Sequence, residues 1–241
     1  MQEETSRKAF LDSVDIPRLR TRNAVPVLAI TVLGAMLALG GAWNAAVPLF
    51  AATACVALFL SGVDRSTVRH DPAARALALL LVVSVFQLLP LPGALLGLLD
   101  RAGEDVSRHA WDAWRVDRAG SWRPLHRDPG TGLVDLVYLV GIAAAYVAAS
   151  QAARREVLER LYELCAGSAL LAALVGLAHL GTGQDRLYGF YRPLQAAPPL
   201  LSPLLNPNHL AALTGAGAIL WLGLALGSEK LLPRVLHGLA A

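Results

Sequence analysis

The chain has 241 residues, 55% hydrophobic against 16% charged, and a mean hydropathy of +0.50, which is more apolar than a soluble domain of this size. That composition excludes a disordered chain and argues for a membrane protein. The 21 Lys and Arg against 18 Asp and Glu leave a net charge of +3 with no continuous basic face, which argues against a nucleic-acid partner. Cys55 and Cys165 both sit inside apolar runs, so neither a disulfide framework nor a CxxC metal site is expected, and no metal is assigned.

A bilayer core about 30 Å thick takes roughly 20 apolar residues per helical crossing. Six stretches meet that need, at 24–41, 45–63, 76–99, 133–153, 162–181 and 208–227. The first could be a cleavable signal, since Ala42, Ala45 and Ala46 follow it. The 23 residues before it are long and mixed in charge for that role, and further spans follow. The expected fold is therefore an all-α, polytopic bundle of about six transmembrane helices spanning 24–227. Tails at 1–23 and 228–241 flank it.

Basic residues resist translocation and collect in short cytoplasmic segments. With the amino terminus inside, thirteen Lys and Arg fall on the cytoplasmic side, from Arg7 and Lys8 to Lys230 and Arg234, and eight fall outside. Six of the eight share the segment 100–132 with Asp100, Glu104, Asp105, Asp112, Asp117 and Asp128, so that segment is locally neutral. Both termini are then cytoplasmic, and two substantial loops, 100–132 and 182–207, face outward.

The third run is punctuated by Pro90 and Pro92, and Pro90 lacks the donor an unbroken helix needs. The run should kink or end there, with 93–99 returning along the membrane surface. The break is either a plain kink or the wall of a wet cavity. In the first outer loop Val106, Ala110 and Trp114 recur at a spacing of four with Trp111 beside them, which reads as a short amphipathic helix in the interface. Its indoles either anchor the loop or form a platform for a lipid-linked substrate. His126, Asp128 and Asp135 have no third ligand or nucleophile at a usable spacing, and Asp135 reads as a favourable charge at a helix start. His179, near the end of the fifth run, reads as a structural residue reaching the interface, although an ionisable group there is a functional suspect.

The second outer loop holds Pro193, Pro198, Pro199, Pro203 and Pro207 with Tyr188, Phe190 and Tyr191, and cannot be one continuous helix. The last run starts at Asn206, Pro207, Asn208 and His209, where Asn or Pro suits a helix start. A helix amino terminus offers unpaired donors and partial positive charge. Asn206, Asn208 and His209 would add side-chain groups there, with Arg192 and Arg186 upstream as anion clamps. The competing reading is an Asn cap with a wet interfacial His209. No nucleotide loop, HExxH or GxSxG occurs, and no catalytic residue is assigned.

Three segments carry a resemblance: FQLLPLPGALLGLLD at 86–100, WRPLHRDPGTG at 122–132, and LLSPLLNPNHLAAL at 200–213. In this order they resemble the O-antigen ligase and O-antigen polymerase superfamily. That family has a Gln-x-x-Pro-Leu-Pro helix end, a Trp-x-Pro outer loop and a Gly-x-Phe-x-Asn-Pro-Asn-His segment. The chain departs from it at Ser202, Pro203, Leu204 and Leu205, which replace the glycine-containing approach to Asn206, and at His126, which stands where the family has Ser. The resemblance implies a GT-C-like membrane glycosyltransferase in the bacterial inner membrane. It would use an undecaprenyl-pyrophosphate-linked glycan, act without a cofactor, and deliver to lipid A-core or a growing polysaccharide. It also implies that this chain corresponds to the amino-terminal half of such an enzyme, because the family's Arg- and His-bearing periplasmic loop comes later. On it, Arg192, Asn206, Asn208 and His209 are the expected donors to the carrier pyrophosphate, or the packing around its site. The rival expectations are a non-catalytic membrane scaffold or accessory subunit of polysaccharide assembly, and a six-span transporter. The transporter would need intramembrane charges lining a path or repeated halves, and the runs have almost no charge and no visible internal repeat.

Overall fold

The computed structural model describes residues 16–38, 44–62, 69–114, 122–153, 158–192, 201–228 and 238–239. Residues 1–15 of the expected tail 1–23, residues 229–237 and 240–241 of the expected tail 228–241, the charged residues Arg65, Arg115, Asp117, Arg118, Arg154 and Arg155, and prolines 193, 198 and 199 lie outside the described residues. The described chain is all-α apart from one two-residue strand pair. In chain order it forms α1 (Ile16–Leu37), a 3-10 turn at Asn44–Ala46, α2 (Val47–Ser61), α3 (Pro72–Leu88), β1 (Pro90–Leu91), α4 (Gly93–Leu99), α5 (Arg101–Ala113), β2 (Arg123–Pro124), α6 (Pro129–Ala153), α7 (Leu158–Thr182) and α8 (Pro207–Gly227).

Three helices, α6, α7 and α8, are long and apolar enough to cross a membrane. The apolar parts of α1, α2 and α3 are 10–17 residues long, and at about 1.5 Å per residue none exceeds ~26 Å. For α3 the shortening has a visible cause. The helix ends at Leu88, Leu89 turns extended (φ −68°, ψ 136°), and Pro90 enters a strand, so the expected break falls where proline removes the donor. At its start, Asp71 accepts from the backbone of Ala73 and Ala74 with Pro72 at the first helical position, which satisfies donors that the first turn leaves unpaired.

Close helix approaches are made by small residues. Gly141 of α6 lies against Ala51 of α2, where an added Cβ would come within 3.1 Å of the Ala51 Cα. Gly217 of α8 faces Ala169 of α7, and a Cβ there would overlap that of Ala169. The Trp221 indole donates to the Ala166 carbonyl at 3.1 Å across the same pair. One buried cluster joins Val25 and Leu28 of α1, Ala57 of α2, Ala148 and Ala152 of α6, and Leu161 of α7. The buried residues of α2, α6 and α7 are mostly Ala, Gly and Ser, while Phe59, Leu79, Leu177, Ile219 and Leu226 point outward. Burial by size rather than by polarity is the pattern of helices that pack in lipid, where apolar bulk gains nothing by turning inward. The length of α6 to α8 and this inverted burial both point to a membrane-embedded protein.

The helices alternate in direction. Gly34 near the end of α1 meets Phe50 near the start of α2, and Tyr146 late in α6 donates to Asp71 at the start of α3 at 3.0 Å. Gly176 late in α7 meets Leu210 early in α8. One pole therefore collects the ends of α1, α3 and α7 with the starts of α2, α6 and α8, and both expected outer loops emerge there.

Candidate functional site at the proline-rich pole

Asn206 is the N-cap of α8. Its backbone is extended, its Oδ1 accepts the Asn208 N–H at 2.9 Å, and Pro207 occupies the first turn. The sequence reading of this helix start is met to within one residue. Asn206, Asn208 and His209 are all exposed. Just before them, Ser202 and Pro203 are buried and Leu205 has a left-handed backbone, φ 55°. The chain thus makes the approach turn that a glycine would ease while carrying a branched side chain through it.

The loop after α7 folds into a hairpin. Tyr188 (φ 55°) and Gly189 (φ 80°) are consecutive left-handed residues, and Leu187 and Tyr191 exchange two backbone hydrogen bonds, at 2.7 and 3.0 Å. Leu187 and Leu201 form a fully buried pair on which Tyr188, Tyr191 and Leu205 pack. Arg192 directly follows Tyr191 and Asn206 directly follows Leu205, so one apolar cluster holds the approaches to both. No hydrogen bond or ion pair joins Arg192 to Asn206, Asn208 or His209 among the described residues, and Arg192 is exposed. Arg186 is exposed as well.

His179 is a structural residue of this pole. Its Nε2 accepts the Tyr188 backbone N–H at 3.2 Å and its ring lies edge-on to the Tyr188 ring. Tyr188 in turn donates its hydroxyl to the Leu37 carbonyl of α1 at 2.8 Å, and burial pushes its phenol pKa up. Nothing local in the sequence ties residue 188 to residue 37.

The first outer loop holds a cluster that spacing did not reveal. Glu104 of α5 is only 6% exposed, and Arg123 of β2 pairs with it closely. Arg108 adds a second pairing at 3.1 Å. Arg123 also donates to Ser107 Oγ at 3.1 Å and lies over the Trp111 ring, 5.3 Å from its centroid. The Arg123 hydrogen bond holds the Glu104 carboxyl below the ordinary glutamate range, burial opposing it and Arg108 assisting. Glu104 and Arg108 could be read as an i, i+4 pair; Arg123, nineteen positions on, has no local signal.

Two of the three resembling segments meet in space. β1 pairs antiparallel with β2, Pro90 opposite Pro124 and Leu91 opposite Arg123, and the His126 N–H donates to the Gln87 carbonyl at 2.9 Å. At the start of α6 the cap is Asp128, which accepts from the Gly130 and Thr131 N–H groups and from the Thr131 hydroxyl. Those bonds, the Thr131 hydroxyl foremost, hold its carboxyl low. This corrects the expectation for Asp135, which lies more than a turn inside α6 because the helix begins at Pro129. His126 Nδ1 accepts the Asp128 N–H at 3.2 Å, so His126 serves the same turn. Among the described residues no three His, Cys, Asp or Glu side chains gather as a metal ion would require.

No protein-family model, no curated protein and no solved structure matches this chain.

Proposed function

We propose that the chain is the amino-terminal portion of an O-antigen ligase- or polymerase-like membrane glycosyltransferase. In this reading it crosses the bacterial inner membrane six times in a GT-C-like bundle, with both termini in the cytoplasm. It binds an undecaprenyl-pyrophosphate-linked glycan at the outer face for transfer to lipid A-core or a growing polysaccharide. The observation that supports it best is the pairing of segment 86–93 with segment 122–126 through β1, β2 and the His126 to Gln87 bond. The third segment starts α8 at the same pole, where first-turn donors are available to a pyrophosphate. Exposed Arg192, Asn208 and His209 would hold the departing pyrophosphate, whose negative charge grows as the glycosidic bond breaks.

One observation favours the accessory-subunit reading: the Asn208 N–H already donates to the Asn206 amide oxygen, so that first-turn donor is not free for an anion. The two readings separate in one assay. Membranes carrying the gene product are given the carrier-linked glycan, and transferred glycan and freed undecaprenyl pyrophosphate are measured. Transfer that is lost in R192A, N208A and H209A supports the enzyme. Carrier binding without transfer supports the accessory role, and neither binding nor transfer overturns both.

A further inference from the structure

Helix α5 carries three stripes, and the one turned inward holds a buried carboxylate. Gly103, Glu104, Ser107 and Trp111 form the inner stripe, which Arg123 clasps through a carboxylate, a hydroxyl and an indole face. Ala102, Val106, Ala110 and Trp114, four residues apart, form an exposed apolar stripe, with Val106 60% and Trp114 82% exposed. Arg101, Asp105, Arg108 and Asp112 form the flank, with two charges of each sign. Asp100 fixes the elbow between α4 and α5 by accepting the Gly103 N–H at 2.9 Å while Arg127 approaches it at 3.7 Å. Water favours an arrangement in which Val106 and the Trp114 indole turn inward and Glu104 is hydrated.

From this inversion we infer that α5 is an interfacial anchor whose Val106 and Trp114 stripe is seated in the headgroup region of a phospholipid bilayer. The Arg123 clasp is what turns the helix over. The bilayer is favoured over a protein partner because α6 and α7 bury mainly Ala, Gly and Ser while α6 to α8 turn Leu and Ile side chains outward, which makes a lipid-length apolar surface below this pole. Leu98 of α4 and Trp122, 81% and 68% exposed, extend the apolar exposure on either side of α5. A tryptophan suits this depth because its ring is apolar and its N–H remains wet. The balanced flank makes the anchor indifferent to lipid charge, unlike a basic amphipathic helix. This inference needs the membrane setting and makes no use of glycan transfer.

The test uses the full chain in phosphatidylcholine nanodiscs, with Cys55 and Cys165 replaced by alanine. Nitroxide labels are placed in V106C, W114C and D112C, and collision with oxygen is compared with collision by a water-soluble nickel chelate. The ratio of oxygen to nickel accessibility should be several-fold higher at 106 and 114 than at 112, and should not change with added anionic lipid or salt. Equal ratios at the three positions, or exclusion of both reagents from 106 and 114, would overturn the inference; the latter result would place a protein on this face. Should a cysteine variant fail to fold, lipid-attached bromine should quench the native tryptophan fluorescence, and quenching should fall in W114F. Unchanged quenching in W114F counts against the anchor.

Discussion

Asn206 serves two demands, closing the first turn of α8 and standing beside the groups proposed to meet a pyrophosphate. Stability measurements separate them. Asn206→Ala removes the acceptor for the Asn208 N–H and should cost about 1 kcal/mol. Asn208→Ala, His209→Ala and Arg192→Ala, all at exposed side chains, should leave thermal unfolding in detergent unchanged within ~0.5 kcal/mol. A second residue-scale prediction concerns acid. The Glu104 pKa is depressed by Arg123, and a depressed carboxylate stabilises the fold above its unfolded pKa and ceases to as pH falls through its folded one. Tryptophan fluorescence of the wild type should therefore report loosening of α5 on acidification below the ordinary glutamate value of about 4.3. Asp128 is depressed as well and titrates in the same direction, so the informative quantity is the difference between wild type and Glu104→Gln. That difference should disappear at low pH. At neutral pH the Gln variant should be the looser, because Arg123 is left without its counter-charge.

At the scale of elements, the helix contacts depend on missing side chains. Gly217→Leu would drive α8 away from Ala169 and should destabilise the α7 and α8 pair by about 1–3 kcal/mol. Gly223→Ala, on the same helix with open space around it, should be neutral or slightly stabilising because alanine is the better helix former. Thermal denaturation of the two purified variants compares them directly. Helices α6, α7 and α8 were legible within a few residues because apolar runs bounded by Pro, Asn and Gly carry both their length and their ends in local sequence. The start of α6 lies four residues ahead of its apolar run because Pro129, Gly130 and Thr131 are not apolar, although Asp128 caps the helix at that point. Hydropathy sees the run and misses the cap. The third run stops short of its expected end for a related reason, since the apolar stretch 76–99 continues through Pro90 while α3 does not.

For the whole molecule, alternation of helix direction sets which segments share a side. If the chain crosses the membrane as proposed, a membrane-impermeant maleimide applied from the periplasmic side should label D112C and D185C in intact cells. It should reach R69C only after permeabilisation. Labelling of R69C at the same rate as D112C would break the alternation, and with it the assignment of both outer loops to one face. The pole would then no longer unite segments 86–93 and 122–126 with the start of α8, and the glycosyltransferase reading would lose its geometric support.

Composition and period alone determined that the chain is helical, apolar enough for a membrane, interrupted at Pro90, and restarted at Asn206. Each of these depends on neighbours in sequence, through backbone donors, side-chain caps and the length of an apolar run. Tertiary structure alone decided that Arg123 closes over Glu104, that Tyr188 reaches Leu37, that β1 finds β2, and that α5 hides a carboxylate and shows its apolar stripe. These pairings join positions far apart in the chain, where local propensity is silent. They are chosen by which surfaces remain to be satisfied once the helices have packed.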